Sequence, residues 1–193
     1  MKKLSFYVSM VACVFCLMAF SVHAAPPTVG APLPDFSLPV PKDTADKNYL
    51  NISRSFFSGS FRIPQISANV VILQIFSMYC PYCQKDAPHA NQLYNRIEND
   101  PALKGKIKLI GVGAGNSDYE VGLFKKKYNV LFPLFSDGDF KIHKLLGEVR
   151  TPYFIGVKIS PDGSNQVFYS KLGAIEGSEE KFLKEMISLS GLK

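Results

Sequence analysis

The chain has 193 residues, 47% of them hydrophobic and 20% charged. That length and balance suit one domain with a sizeable core and exclude disorder as the main state. The formal net charge of +6 comes from scattered lysines whose one run, Lys125-Lys126-Lys127, falls in a helical pattern. It reads as a solvated helix face, and no nucleic-acid partner is expected.

In chain order, the first segment differs in kind from the rest. Lys2 and Lys3 precede LSFYVSMVACVFCLMAF, and Ser21-Val22-His23-Ala24 follows. A basic start, an apolar stretch and a small-residue ending read as a signal peptide over residues 1–24. An uncleaved N-terminal anchor competes, because Leu4 to Val22 is nearly long enough to span a bilayer. A lipoprotein reading at Cys13 is the third. All three place the remaining chain outside the cytoplasm, in the periplasm or on the outer face of the membrane. Cys13 and Cys16 belong to this segment, so the exported part keeps Cys80 and Cys83 alone.

Residues 25–34 are Pro-rich and read as a linker entering a short strand at Asp35–Val40. Asn48–Ser53 and Ser60–Ile66 are read as short strands around Arg54-Ser55-Phe56-Phe57, and Asn51-Ile52-Ser53 matches a glycosylation sequon. Val70–Phe76 (VVILQIF) is a β-branched apolar run, the pattern of a strand buried on both faces. Pro81 to about Asn99 is a helix, with Cys83, Ala87, Ala90, Tyr94 and Ile97 on one face. Then come a strand at Lys106–Ala114, a helix at Asp118–Tyr128, a strand at Phe132–Ser136 and a short helix at Phe140–Leu146. A strand at Pro152–Ser160 turns through Pro161-Asp162-Gly163 into an antiparallel partner at Asn165–Leu172. Ser178 caps a last helix reaching Leu189. This order implies a mostly parallel sheet with helices on both faces.

The chemistry concentrates at FSMYCPYCQKDAPHA, residues 76–90. Cys80 falls at the strand-to-helix junction as N-cap, Pro81 takes N1, and Cys83 is N3. The free N–H groups and the positive end of the helix dipole favour a thiolate at Cys80, the attacking form in disulfide exchange. Cys83, more buried, would resolve the mixed disulfide. Asp86, three residues further on, either takes the Cys83 proton or is a solvated acid favouring the helix dipole. Pro88 should kink the helix. With two cysteines, a zinc site of four cysteines is excluded, and His89 and His143 lack the spacing to complete a set of two cysteines and two histidines. Gln84 after the second cysteine excludes a c-type haem motif. No metal or cofactor is expected. Tyr79, Tyr82 and Tyr153 read as an apolar rim around the cysteines or as ordinary surface aromatics.

From about residue 30 onward the chain resembles the thioredoxin superfamily, and within it the extracytoplasmic TlpA/ResA-like thiol–disulfide oxidoreductases. The family pattern Trp-Cys-x-x-Cys-x-x-Glu-x-Pro is met by Tyr79-Cys80-Pro81-Tyr82-Cys83-Gln84-Lys85-Asp86-Ala87-Pro88, with Tyr79 for Trp and Asp86 for Glu. Asp is one methylene shorter, which brings its reach toward the thiols into question. Phe132-Pro133, Asp137-Gly138, Gly147 and Thr151-Pro152 resemble the segment that leads to the family's cis-proline. The resemblance implies an α/β thioredoxin-like fold over residues 35–193, with a central mixed sheet, helices on both faces and a central strand–helix insertion. It implies a redox-active Cys80–Cys83 pair, Asp86 as acid–base residue, and substrate contacts by Thr151 and a cis Pro152; Tyr79 and Tyr82 are substrate-contact candidates by their place beside the cysteines alone. It also implies protein thiol or disulfide substrates, a membrane electron donor, and the reductive direction. Two alternatives stand beside it: a binding domain with an inert Cys80–Cys83 staple, and a peroxiredoxin-like peroxidase suggested by Ser77-x-x-Cys80. A staple over so short a loop constrains the unfolded chain least.

Overall fold

A computed structural model describes residues 24–52, 59–175 and 178–192. The expected signal peptide up to His23, with Cys13 and Cys16, and the Arg54-Ser55-Phe56-Phe57 stretch lie outside the described residues. So does the Ser53 of the sequon. Among the described residues no helix is long and apolar enough to cross a membrane.

The elements in order are β1 (Leu38–Pro39), α1 (Thr44–Leu50), β2 (Ser60–Phe61), a 3-10 turn (Ile63–Gln65), β3 (Val70–Phe76), α2 (Pro81–Asn99), β4 (Ile107–Ala114), α3 (Asp118–Lys127), β5 (Leu134–Asp137), α4 (Lys141–Leu145), β6 (Tyr153–Ile159), β7 (Asn165–Leu172) and α5 (Glu179–Ser190). The main sheet runs β5-β4-β3-β6-β7. β3, β4 and β5 are parallel, and β6 and β7 are antiparallel additions on the other side of β3. The sheet is therefore mixed, as the resemblance implied. β1 and β2 form a separate two-stranded ribbon.

β3 is the spine. All seven of its residues are buried, because it pairs on both edges and is covered on both faces. Val71, Leu73 and Ile75 pack into a core shared with Leu38, Phe61, Ile63, Ile142 and Leu146. Val70, Ile72 and Phe76 face α2, α3 and α5, meeting Ala87, Leu93, Phe124, Phe182 and Met186. By the two-residue alternation of a strand, Gln74 shares this second face.

Two strand expectations need correction. Asn48–Ser53 is not a strand: Asp43 caps α1, its carboxylate accepting from the Ala45 and Asp46 N–H groups, and Asn51 ends the helix in the left-handed region. Ser60–Ile66 is strand only at β2, since Pro64 sits in the 3-10 turn. The Pro-rich stretch expected as a linker is docked: Gly30 N–H donates to Val167 O and Val167 N–H to Ala31 O along the outer edge of β7. Unpaired strand edges template association, and covering one removes that hazard.

α1 has a definite task. β5 begins its pairing with β4 only at Gly111, so the Leu109 N–H, pointing the same way two residues earlier, finds no strand. The Tyr49 hydroxyl accepts it at 2.7 Å. Lys108 Nζ lies 4.1 Å from the Tyr49 ring centroid, and Lys125 pairs with Asp46 at 2.8 Å. Tyr49→Phe leaves the buried Leu109 N–H without its acceptor while keeping the ring. We expect a loss of about 1–3 kcal/mol in chemical denaturation, with no change in the reactivity of the cysteines.

Candidate active site

Cys80 occupies the N-cap of α2 with extended backbone, and its Sγ accepts the Cys83 N–H at 3.4 Å. Pro81 at N1 contributes no N–H, so the cap and first turn leave few donors to satisfy. The preceding loop is held by two side-chain amides. Met78 N–H donates to Asn116 Oδ1, and Gln84 Nε2 donates to Met78 O, each at 2.8 Å. Asn116 is fully buried in the turn between β4 and α3. The Cys80 N–H closes the loop onto Ser77 O. Neither Asn116 nor Gln84 is among the sequence-predicted site residues. Asn116 carries no local signal, because the contact joins residues 38 positions apart.

The Thr151–Pro152 bond is cis. The Cys80 thiol donates to Thr151 O at 3.3 Å, which brings this loop against the cysteines as the resemblance implied. Pro152 is buried and Thr151 half-buried. Tyr79 and Tyr82 are 65% and 69% exposed and flank Cys80 along the chain. The Tyr79 hydroxyl donates to Glu120, whose carboxylate also caps α3 through Ser117. Tyr153 does not join them. It is buried in the sheet and bonded to Ser170, because β6 is an interior strand.

The two thiols are held at opposite ends of the scale. Burial raises the Cys80 pKa, but hydrogen bonds from the Thr151 side chain, from the backbone and side chain of Cys83 and from the Tyr82 N–H outweigh it, and the value falls below the ordinary thiol. Cys83 is buried to 1% exposure, and burial first, with help from the neighbouring Cys80, pushes it up to about 12. Both are free cysteines.

Asp86 is not a solvated acid. It is 1% exposed, on the inward face of α2 with Cys83 and Ala87. Its Oδ1 accepts the Ile175 N–H at 2.8 Å and its Oδ2 accepts Gln74 Nε2 at 3.0 Å. Neither bond goes to Cys83. Burial raises its pKa to about 6 against the pull of Ile175, His89 and Gln74, and Glu179 adds to the rise. His89 is partly exposed and paired with Glu179 at 2.6 Å. His143 is bonded to Val149 O at 2.9 Å. Among the described residues no group of three His, Cys, Asp or Glu side chains is placed to hold a metal.

A five-stranded mixed sheet with flanking helices and a Cys-x-x-Cys at the N-terminus of one of them defines a thioredoxin-like protein. A model of the AhpC/TSA family matches residues 29–166, and the chain belongs to that family. Over 82 residues it is 30% identical to the thiol-disulfide oxidoreductase ResA of Bacillus thuringiensis subsp. konkukian, covering 42% of this chain and 44% of that protein. The chain thus spans less than half the length of the curated relatives it matches. In fold it is similar to a putative thiol:disulfide interchange protein DsbE from Chlorobium tepidum, with a TM-score of 0.61, 17% identity, and coverage of 86% of this chain and 99% of that one. It is also similar to a secreted Mycobacterium tuberculosis disulfide oxidoreductase homologous to E. coli DsbE, with a TM-score of 0.51, 18% identity, and coverage of 67% and 89%.

Two outcomes follow from the site's proton affinities. In the reduced protein at pH 7, iodoacetamide followed by peptide mass mapping should label Cys80 at least tenfold faster than Cys83, since only the thiolate reacts; equal labelling would contradict the depressed Cys80 value. Asp86 binds its proton more tightly folded than unfolded. Its contribution to stability is therefore full below about pH 3.8 and lost as pH rises through about 6. Asp86→Asn removes that dependence. Between pH 4 and 7 the wild type should lose about 2 kcal/mol relative to the variant, at 1.36 kcal/mol per pKa unit, read by urea unfolding at each pH.

Proposed function

We propose that the protein is an extracytoplasmic thiol–disulfide oxidoreductase that reduces disulfides in protein substrates. The observation that carries this is the asymmetry of the pair, with an exposed-side Cys80 of lowered pKa and a buried Cys83 of raised pKa. An inert staple needs no such difference. The ResA relative supports the activity, and the secreted structural neighbour supports export.

The Cys80 thiolate attacks one sulfur of the substrate disulfide. That S–S bond breaks, the first substrate sulfur leaves and takes up a proton, and a mixed disulfide remains on Cys80. Cys83 then gives up its proton and attacks Cys80 Sγ, the Cys80–substrate S–S bond breaks, and the second substrate sulfur leaves as a thiolate that takes up a proton from solvent. The substrate gains two electrons and the Cys80–Cys83 pair loses two. Asp86, one helical turn from Cys83, receives the Cys83 proton, a role that tolerates a bridging water. Thr151 and Pro152 border the attacking sulfur, and Tyr79 and Tyr82 give the substrate an apolar surface with polar tips. A membrane dithiol protein returns the pair to the reduced form. Residues 1–24 carry the chain to the membrane, 25–34 lead from them and dock along β7, and 35–193 form the oxidoreductase domain.

The test is insulin-disulfide reduction with dithiothreitol as donor. Wild type should turn over, Cys80→Ser should not, and Cys83→Ser should accumulate a mixed disulfide seen by non-reducing mass spectrometry. Asp86→Asn should slow the release step tenfold or more, within the usual reach of acid–base catalysis. Full insulin reduction by Cys80→Ser would reject the assignment. Turnover of hydrogen peroxide in place of insulin would move the reading to a peroxidase.

A further inference from the structure

Gln74 is the one polar residue in the buried run of β3, and it is 4% exposed. Its strand neighbours in register are Gly111 on β4 and Phe154 on β6, neither with a polar side chain. On its own face it lies between Ile72 and Phe76, beneath α2. Its Nε2 donates to Asp86 Oδ2, and the other oxygen takes the Ile175 N–H. Both partners donate, so the arrangement suits a carboxylate and not a carboxylic acid.

An Asp86 that has taken up a proton carries an O–H that must find an acceptor. The Ile175 N–H can only donate. The Gln74 amide holds an acceptor, its Oε1, on the same rotating group as its donor. Half a turn about its last torsion exchanges one for the other without moving β3. We propose that Gln74 is a positioning residue for Asp86 whose amide reverses with the proton: Nε2 donates to the carboxylate, and Oε1 accepts from the acid. This rests on the reading of Asp86 as receiver of the Cys83 proton. It deepens that reading by naming the group that lets a buried carboxyl hold a proton without losing its hydrogen bonds.

The other charged and titratable groups around Asp86 do not supply this acceptor. His89, three residues on along α2, favours the carboxylate, and Glu179 at the start of α5 disfavours it. The two are engaged with each other at 2.6 Å. Cys83 and Cys80 lie toward the N-terminus of α2, with sulfurs directed to Thr151 and to one another.

The experiment is an NMR titration of the reduced, isotope-labelled full chain from pH 4 to 9. It follows the Asp86 carboxyl carbon and the Gln74 side-chain amide. In the wild type both signals should move with one midpoint. Gln74→Met keeps the size and removes donor and acceptor together. The charge-assisted bond it removes is stronger than the neutral one, so the Asp86 midpoint should rise by about one pH unit, a tenfold gain in proton affinity. A midpoint unchanged in Gln74→Met overturns the proposal, because mere filling of space would leave it where it was. Where that variant does not fold, the wild type decides alone: Gln74 amide signals that stay constant while Asp86 titrates overturn it. Both readings are taken without substrate. Failure of wild type to reduce insulin would therefore sink the oxidoreductase reading and leave this one intact.

Discussion

The interaction on which the site depends is the cap that Cys80 places on α2. A sulfur stands where a serine or aspartate oxygen ordinarily receives the N-terminal N–H groups, 3.4 Å from the Cys83 nitrogen. That contact gains little as a cap, since sulfur is a weak acceptor when protonated. It gains far more when the sulfur is ionised, because the helix end then meets a negative charge, worth roughly 0.3–1 kcal/mol at an exposed site and more where partly buried. The bond that starts the helix is thus strongest in the reactive protonation state. Asn116 and Gln84 make it reproducible by holding both backbone groups of Met78, so the loop delivers Cys80 to the cap at a fixed angle.

Burial does the opposite work three residues later. The same helix carries Cys83 and Asp86 into the core, where desolvation is the first cause of both raised values. One helix therefore spans two regimes. At its open end hydrogen bonds outweigh burial, and one turn inside burial outweighs hydrogen bonds. The division follows from α2 standing over β3, whose Gln74 is the polar residue of that strand available to the buried acid.

Where a run of sequence settles its own structure, the fold was readable from it. VVILQIF, short and rich in β-branched residues, has the pattern of a doubly covered strand, and β3 has the expected limits. Pro81 after Cys80 announces a helix start, and α2 runs from there to Asn99. α1 was missed because it buries only Leu50, so its seven residues show no apolar stripe; its support comes from Leu109, Lys108 and Lys125, distant in the chain. Tyr153 was misplaced for a related reason. Its neighbour Pro152 lies at the site, but the burial of a strand residue depends on whether the strand is interior, which topology decides. Asp86 was visible as a candidate, while its surroundings were not: spacing places a carboxyl near Cys83, and only the sheet shows it sealed between Gln74 and Ile175. The Gln74 signal was present as the lone polar residue in an apolar run.

The proton affinities also constrain the order of events in the proposed reaction. Burial holds the Cys83 proton far more tightly than Asp86 can, so moving it to the carboxylate before any bond forms is strongly uphill. A free Cys83 thiolate would be too scarce to support efficient turnover. Two circumstances reduce the gap. Once Cys80 is in a mixed disulfide its thiolate charge is gone, and with it one of the causes that raise Cys83. And a proton that leaves while the new S–S bond forms never requires a full charge on Cys83, because the developing charge passes to the departing substrate sulfur. The buried acid is useful under the second circumstance, since a base with affinity near the working pH is the efficient partner for a proton in flight. In the proposed reaction, proton transfer concerted with attack is the course that suits the depth at which Cys83 and Asp86 are buried.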